Sequence, residues 1–477
     1  MVRVRYAPSP TGEIHIGNAR TALFNYLFAR HHGGTFILRL DDTDAKRSTD
    51  AAVQSMINDI TWLGLDWDED FLKGGDFGPY RQRERMDIYN HYIDVLLSKG
   101  SAYELYYSDE EIQQIRETDE KELKTFSYRK LKEAETESRV REFKDNGIKP
   151  AIAFKVDEGK EIIVNDLVRG KVHFNSDEFK DFVIRRSNGI PVYNYATVID
   201  DALMKITHII RGEEHLSNTP KQMLIFEALD FPLPTFAHIS LIFAPDRTKL
   251  SKRHGATSIG QFREMGFLPQ ALFNFLALLG WSPKDDREFF TKEELIQLFD
   301  LDAVNKAPAV FDIGKLKWMN HKYIGNLPPK EVFEKCNEIG TDFSEKSAEW
   351  WCDFIGAIKE HLDTLSDVKT IAASIFEKHE ISNEVIEKIK SYNPITLFAE
   401  FRDSISVYPE WSTESILQTI RDTGKALQIK GKSLYFPLRL AITGKEEGLE
   451  IHEFIYFIGK EETLRRLGEA IRRLENA

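Results

Sequence analysis

The sequence predicts an α/β fold of Rossmann type: a parallel-sheet domain interrupted by an inserted α/β lobe and followed by an all-α C-terminal region. Three observations predict it. Strand-like and helix-like periods alternate in βαβ order from residue 2. A strongly charged stretch with its own helix-start signal breaks that alternation near residue 108. After about residue 322 the pattern changes to long helical periods with few strand signals.

Taken in order, residues 2–6 read as a short strand and PSPTG as a turn. Residues 17–32 read as a helix in which Ala19, Leu23, Tyr26 and Leu27 recur at helical spacing until Gly33 and Gly34 end it. FILRL is the next strand. In a parallel sheet, ligands sit beyond the carboxyl ends of strands and at helix N-termini, so the site is expected near PSPTG. Residues 108–146 begin with the capping box Ser108-x-x-Glu111 and read as solvent-washed helices. Residues 150–168 and 171–174 carry alternating β-branched residues and Ser187-Asn188-Gly189 is a turn signal. The inserted lobe is therefore expected to be mixed α/β and to return to the sheet near Asp181. KITHIIRG reads as a strand and EEHLSNTPKQMLIFEAL as the helix behind it. The last third, with WWCDFIGAIKEHL and HEFIYFIGKEETLRRL, is a separate helical region. The expected boundaries are 1–100 and 187–245 for the two halves of the sheet domain and 101–186 for the lobe. A basic loop with its helical domain takes 246–322, and the helical region takes 323–477.

Of 477 residues, 42% are hydrophobic and 30% charged, which gives core material for about three or more domains and excludes disordered and collagen-like classes. No run approaches the ~18 to 20 apolar residues of a bilayer span, and the opening MVRVRYAPSP lacks an apolar secretion segment, so no membrane association and a cytoplasmic location are expected. Two cysteines, Cys336 and Cys352, cannot build a disulfide framework or a four-cysteine zinc site. The 77 acidic against 64 basic residues give a net charge of −13. That excludes indiscriminate charge-driven binding to nucleic acid but not a local basic surface that docks one folded RNA.

Three segments can carry chemistry. In PSPTGEIHIGN, the prolines fix the chain after the strand and Gly17 opens the helix start, so a phosphate can approach backbone N–H groups and the helix dipole, with His15 beside it as a hydrogen-bond donor. In Lys249-Leu250-Ser251-Lys252-Arg253, three cations and a hydroxyl suit a loop that covers a polyphosphate. In Arg211-Gly212-Glu213-Glu214-His215, an arginine at a strand end suits a substrate carboxylate and a neighbouring acid suits a ribose or ammonium group. Each has a plainer alternative when read alone: a proline–glycine turn with a surface histidine, a solvated basic loop, an internal ion pair. A P-loop ending in Gly431-Lys432-Ser433 is rejected, because six residues rather than four separate it from Gly424 and no strand precedes it.

Order joins the motifs, since the His-x-Gly helix start follows the first strand and the lysine loop comes more than 200 residues later. The chain resembles a class I aminoacyl-tRNA synthetase, with His15-Ile16-Gly17-Asn18 as its HIGH-type signature and residues 249–253 as its KMSKS-type signature. The strings RYAPSPTGEIHIGNARTALFNYLFAR, LRLDDTDAKRS, GPYRQRER, PVYNYATVIDDALMKITHIIRGEEHLSNTPKQ, KLSKRHGATS, FDIGKLKWMNHKYI and FPLRLAITG resemble bacterial-type glutamyl-tRNA synthetase from end to end. That resemblance implies a catalytic Rossmann domain and a two-step ligation of L-glutamate to its tRNA. The glutamate α-carboxylate attacks the α-phosphorus of ATP, and the 2′-hydroxyl of the terminal adenosine then takes the acyl group. His15, Lys249 and Lys252 are the implied catalytic residues. With Gly17, Asn18, Ser251 and Arg253 they hold the phosphates, Mg²⁺ arrives with ATP, and Glu214 and Ile242 hold ribose and adenine. For glutamate, Arg5 and Tyr193 take the side-chain carboxylate, Ala7 and Ser9 line the pocket, and Arg211 sits near the α-carboxylate.

The substrate ammonium needs an anion, and here Asp41 heads Asp41-Asp42-Thr43-Asp44 where many relatives carry a glutamate, one methylene longer. Asn18 replaces the second histidine of HIGH and Arg253 the last serine of KMSKS. Tyr103-Glu104-Leu105 stands where some relatives begin a zinc knot, so no structural zinc is expected. The resemblance also implies a monomer whose inserted lobe grips the acceptor end of tRNA(Glu) and whose helical region reads the anticodon. Arg439, Arg465, Arg466, Arg472 and Arg473 are the candidate phosphate contacts. The competing readings are a glutaminyl or non-discriminating enzyme that also charges tRNA(Gln), a non-catalytic RNA-binding paralogue, a metabolite nucleotidyltransferase, and a short glutamylating paralogue. The long helical region and intact His15, Lys249, Lys252 and Arg211 speak against the last three.

Overall fold

The computed structural model describes residues 1–10, 12–43, 49–122, 125–344, 346–376, 381–407 and 411–476, without the side chains of Lys252, Ser374 and Phe376. Thr11 of the PSPTG turn and Asp44 of the acidic string lie outside the described residues. The chain divides into two compact units: residues 1–264 with 269–319, and residues 265–268 with 320–477.

In the first unit, β1 (Arg3–Tyr6) pairs in parallel with β2 (Thr35–Leu38) across the helix Ile16–His31. This helix is buried nearly all round, from Ile16 and Ala19 to Phe28 and Ala29, because it is covered on more than one side. Strands β3 (Ala102–Leu105), β4 (Ala151–Phe154) and β7 (Phe182–Arg185) form an antiparallel sheet of their own in the order β3-β4-β7. The helices Asp109–Lys121, Tyr128–Glu133 and Glu137–Asp145 accompany it, and the capping box of Ser108 and Glu111 forms as expected.

The antiparallel hairpin of β5 (Glu161–Asp166) and β6 (Gly170–Asn175) departs from the sequence expectation. It does not join the lobe sheet but extends the parallel pair β8 (His208–Gly212) and β9 (Thr235–Ile239), giving the order β6-β5-β9-β8. Its burial alternates strictly along β5, as a strand with one covered face requires. That alternation announces a strand but not the sheet it joins. At its other side β8 is tied to β1 through Thr207, whose N–H donates to the Arg3 carbonyl at 2.9 Å and whose hydroxyl accepts from the Arg3 N–H at 2.9 Å. A short parallel pair, β10 (Ile242–Phe243) with β11 (Ala309–Val310), continues beyond β9.

The second unit is helical, from Pro329–Glu338 to Lys460–Glu475, with no strand among its described residues. Trp350 and Phe354 stack with ring centroids 5.2 Å apart, and Phe354 meets Phe457 edge-on at 5.1 Å, as aromatic quadrupoles favour. Gly424, discarded above as a P-loop glycine, has a packing role: any Cβ there would collide with the Leu434 side chain and the Ile429 carbonyl. Arg466 is not the surface phosphate contact that the basic C-terminus suggests. It is only 2% exposed, donating to the Ile442 carbonyl at 2.8 Å and to Glu462 at 2.7 Å, so its charge is committed inside the unit. Arg465 is paired with Glu462 and Glu469, and Arg473 donates to Asn383 at 2.6 Å. Among the described residues no helix is long and apolar enough to cross a membrane.

Candidate active site

The parallel strands end where the sequence places the site. Beyond β1 the chain runs beside the continuation of β2, with the Arg39 N–H donating to the Tyr6 carbonyl and the Asp41 N–H to the Pro8 carbonyl, 3.0 and 3.1 Å. This sets Ala7 and Ser9 on either side of Asp41's partner residue. His15 then caps the helix Ile16–His31: its Nδ1 accepts the Gly17 N–H at 3.2 Å. Sequence reasoning offers that amide to a phosphate; the structure uses it to orient the imidazole. Because Nδ1 is an acceptor, a neutral ring carries its proton on Nε2, which remains free to donate. Burial, with Lys249 nearby, holds the His15 pKa below the usual histidine value, so the ring is neutral at pH 7.

The two signature segments are bound to one another. The Ile16 N–H donates to the Thr257 carbonyl and the Ile259 N–H to the Ile14 carbonyl, both 2.9 Å, and Ser258 donates to Glu13 at 2.5 Å. Between β10 and that junction the basic loop is folded on itself. The Leu250 N–H returns to the Ile242 carbonyl at 3.2 Å, and the Ser251 N–H donates to His254 Nδ1 at 3.1 Å. The result is a cleft of about 410 Å³ lined by His15, Gly17 and Asn18 on one side, Glu214 and Ile242 on another, and Lys249 and Ser251 on the loop. Seven of the nine expected nucleotide residues thus share one cavity. Arg253 is not among its lining residues and bonds Thr248 on its own loop at 2.9 Å, while the Lys252 side chain lies outside the described residues.

Strand β8 connects this cleft to a second, buried set of charges. Gly212 and Glu214 line the cleft, and a side chain at position 212 would strike the Glu214 carboxylate. Arg211, one residue earlier and 5% exposed, turns the other way. Its Nε donates to His238 Nε2 at 3.1 Å, and its Nη2 donates to Thr219 Oγ1 and Gln222 Oε1, both 2.8 Å. Nη1 is buried with no hydrogen-bond partner among the described residues, and no carboxylate there pairs with this guanidinium. Burial pushes its pKa below the usual arginine range, opposed by the Tyr193 phenol and reinforced by Arg5. A buried, uncompensated cation with a free donor calls for an anionic ligand.

Arg5 is held in the opposite way. Its Nε and Nη2 fork onto Asp201 at 3.1 and 3.2 Å. Arg39 also pairs with Asp201, at 2.6 Å, and with Asp41, at 2.8 Å, while Arg85 and Gln82 hold Asp200 at 2.6 and 2.8 Å. Burial opposes ionisation of Asp201, but Arg5 and Arg39 outweigh it and keep its pKa below the usual carboxylate range. Asp41 is pushed up to about 6, by burial foremost and against the pull of Arg39. Asp42 takes a different part: it is buried and accepts from Arg81 at 3.1 Å, so Arg81 of GPYRQRER ties down the acidic string while Gln82 and Arg85 hold Asp200.

Sequence reasoning missed Asp201, Arg39, His238, Gln222 and Arg20. Arg20 is buried in the cleft wall with its Nε unpartnered, and burial lowers its pKa to about 10. A signal existed for Asp201: Tyr193, Thr197 and Asp201 fall at i, i+4 and i+8 of the helix Tyr193–Leu203, on one face, and two adjacent acids interrupt an otherwise apolar run. Thr197 Oγ1 is buried there without a partner among the described residues. Away from this site His31, His32 and Asp300 bring one ligand atom each within 4.8 Å of one another at the surface, where nothing else points to a bound ion.

The family described as tRNA synthetases class I (E and Q), catalytic domain, matches residues 1–318, and an anticodon binding domain matches residues 327–471. Glutamate–tRNA ligase 1 of Caldicellulosiruptor saccharolyticus is 47% identical over 98% of both chains, and glutamate–tRNA ligase of Bacillus subtilis is 44% identical over 98% of this chain and 99% of that one. The crystal structure of a glutamate tRNA ligase from Elizabethkingia meningosepticum in complex with its amino acid superposes with a TM-score of 0.89 at 35% identity, covering 99% of each chain. With its Rossmann-type sheet, its paired signature segments and a catalytic-domain match over two thirds of its length, the chain belongs to the class I (E and Q) tRNA synthetases.

Proposed function

We propose that this protein ligates L-glutamate to tRNA in two steps, with ATP as the activating substrate and Mg²⁺ arriving as part of it. The observation that carries the reading is the buried pair Arg5 and Arg211, at the ends of two parallel strands and beside the cleft of His15 and Lys249. An amino acid with two carboxylates needs two cationic partners, and a guanidinium prefers a carboxylate to the amide of glutamine. Arg5 and Tyr193 take the side-chain carboxylate, Arg211 the region of the α-carboxylate, and Asp41 the ammonium.

His15 donates from Nε2 to phosphate charge as the α-carboxylate attacks, and Lys249 and Lys252 neutralise the leaving pyrophosphate. Ser251 joins them, while Glu214 and Ile242 hold ribose and adenine. The chemistry is positioning and charge stabilisation. In the second step the 2′-hydroxyl of the terminal adenosine attacks the adenylate carbonyl and AMP leaves. The part matched as an anticodon binding domain reads the tRNA anticodon, and the lobe of β3, β4 and β7 grips its acceptor end.

The test is aminoacylation by the purified chain with purified tRNA(Glu) and tRNA(Gln), each offered glutamate and glutamine. Charging with glutamate alone is expected. Charging of tRNA(Gln) with glutamate makes the enzyme non-discriminating, and charging with glutamine overturns the assignment of Arg5 and Arg211.

A further inference from the structure

The three acceptors that hold Arg211 are all neutral, and one of them reaches back into a strand that the sequence assigns elsewhere. Arg211 and His238 are opposite one another in the β8–β9 register, which places their side chains next to each other on the same face. Asp166 is the last residue of β5, whose hairpin extends this sheet, and it is paired in register with Phe236 two residues before His238. Its Oδ2 lies 2.6 Å from His238 Nδ1, and its carboxylate also accepts the backbone N–H of Val168, Arg169 and His238 at 2.8 to 3.2 Å.

A carboxylate only accepts, so His238 must carry its proton on Nδ1. In the neutral ring this leaves a lone pair on Nε2, where the Arg211 Nε–H donates. Burial, with Arg211 adjacent, holds the His238 pKa below the usual value, and this keeps the lone pair available. The opposite tautomer, or a protonated ring, would set N–H against N–H and turn the guanidinium away. All three residues are 5% exposed or less, and Asp166 and His238 have no other task in the mechanism above.

We propose that His238, fixed in one tautomer by Asp166, is the positioning residue that aims the free Nη1 of Arg211 at the substrate carboxylate. The inference rests on the reading of Arg211 as a carboxylate-binding residue. It also gives the β5–β6 hairpin a part in amino-acid recognition: Asp166 sets the tautomer, the tautomer sets the fork, and the fork sets the affinity for a carboxylate.

Two substitutions separate positioning from packing in the full-length enzyme, assayed by aminoacylation of tRNA(Glu). His238→Gln places an oxygen near the position of Nε2 and keeps an acceptor for Arg211. His238→Asn keeps a partner for Asp166 but does not reach Arg211. The glutamate KM is expected to rise on the order of tenfold to a hundredfold in His238→Asn, the effect of losing one hydrogen bond to a charged group. It should rise much less in His238→Gln, with the ATP KM unchanged in both. Asp166→Asn, which frees the tautomer, should follow His238→Asn and serves in its place if that variant does not fold. Equal glutamate KM values in the two histidine variants, or a lowered melting temperature with no change in KM, overturn the proposal. If Arg211→Ala also leaves the glutamate KM unchanged, the reading of Arg211 itself falls. If Arg211→Ala raises it and His238→Asn does not, only the positioning role falls.

Discussion

The amino-acid end and the nucleotide end of this site both use cations at the ends of parallel strands and their loops, yet they hold them in opposite ways. At the amino-acid end Arg5, Arg39 and Arg211 are buried and held by named partners, with Nη1 of Arg211 left open. At the nucleotide end Lys249 is exposed, and the loop that carries it is tied by small polar groups such as Ser251, His254 and Thr248. A small carboxylate offers two oxygens in one plane, and rigid forks in a dry pocket recognise it. A triphosphate must enter, react and leave as pyrophosphate, and point charges on an open loop serve that better. The difference also predicts where substitutions cost most, since an uncompensated buried charge is far more costly than a lost exposed one.

The largest effect is expected from Arg211→Ala, which leaves a substrate carboxylate without its buried partner. The kcat/KM for glutamate should fall on the order of a hundredfold to a thousandfold, with the ATP KM nearly unchanged. Next comes Asp201→Asn, which breaks the pairs of both Arg5 and Arg39. Denaturant unfolding should show a loss of about 3 kcal/mol, and the glutamate KM should rise about tenfold. Lys249→Ala should lower the rate of ATP–pyrophosphate exchange, measured with tRNA present, by about tenfold while sparing the glutamate KM. An effect there as large as that of Arg211→Ala would mean that the open cleft closes into a dry one during reaction.

The smallest effect is a pH dependence. The folded pKa of Asp41 is raised to about 6, so the carboxylate is charged above that value and protonated below it. The kcat/KM for glutamate should therefore fall about fourfold by pH 5.5 as the anion for the ammonium is lost. Asp41→Asn should show a lower but flatter profile. The groups facing Asp41 are Arg39, Asp200 and Asp201, of which Arg39 stays charged throughout, so the midpoint reports Asp41 rather than its partner.

Much of this was legible in the chain itself. His15 and Gly17 are read from a helix start after a strand, and residues 249–253 from their charge. The cleft unites His15 with Lys249 and Ser251 because backbone hydrogen bonds join residues 14–16 to 257–259. What was not legible was pairing. GPYRQRER and the two adjacent acids of VIDD are visible as charged strings, but nothing local says that Arg85 and Gln82 meet Asp200, or that Arg81 meets Asp42. Arg466 shows the same limit, since a basic helical turn reads as a surface and one of its arginines is buried. The hairpin β5–β6 shows it for strands: alternation specifies a covered face but not which sheet provides the cover.

By itself the sequence determined the succession of elements, the residue types at each strand end, and which segments carry phosphate and carboxylate chemistry, because caps, turns and periodicity act over a few residues. Only the tertiary structure decided which acid restrains which arginine. Arg5 and Asp201 are 196 residues apart, Arg39 and Asp201 162, and His238 and Asp166 72. Such pairs exist only after the strands have taken their register, when burial removes the water that would otherwise satisfy each charge alone.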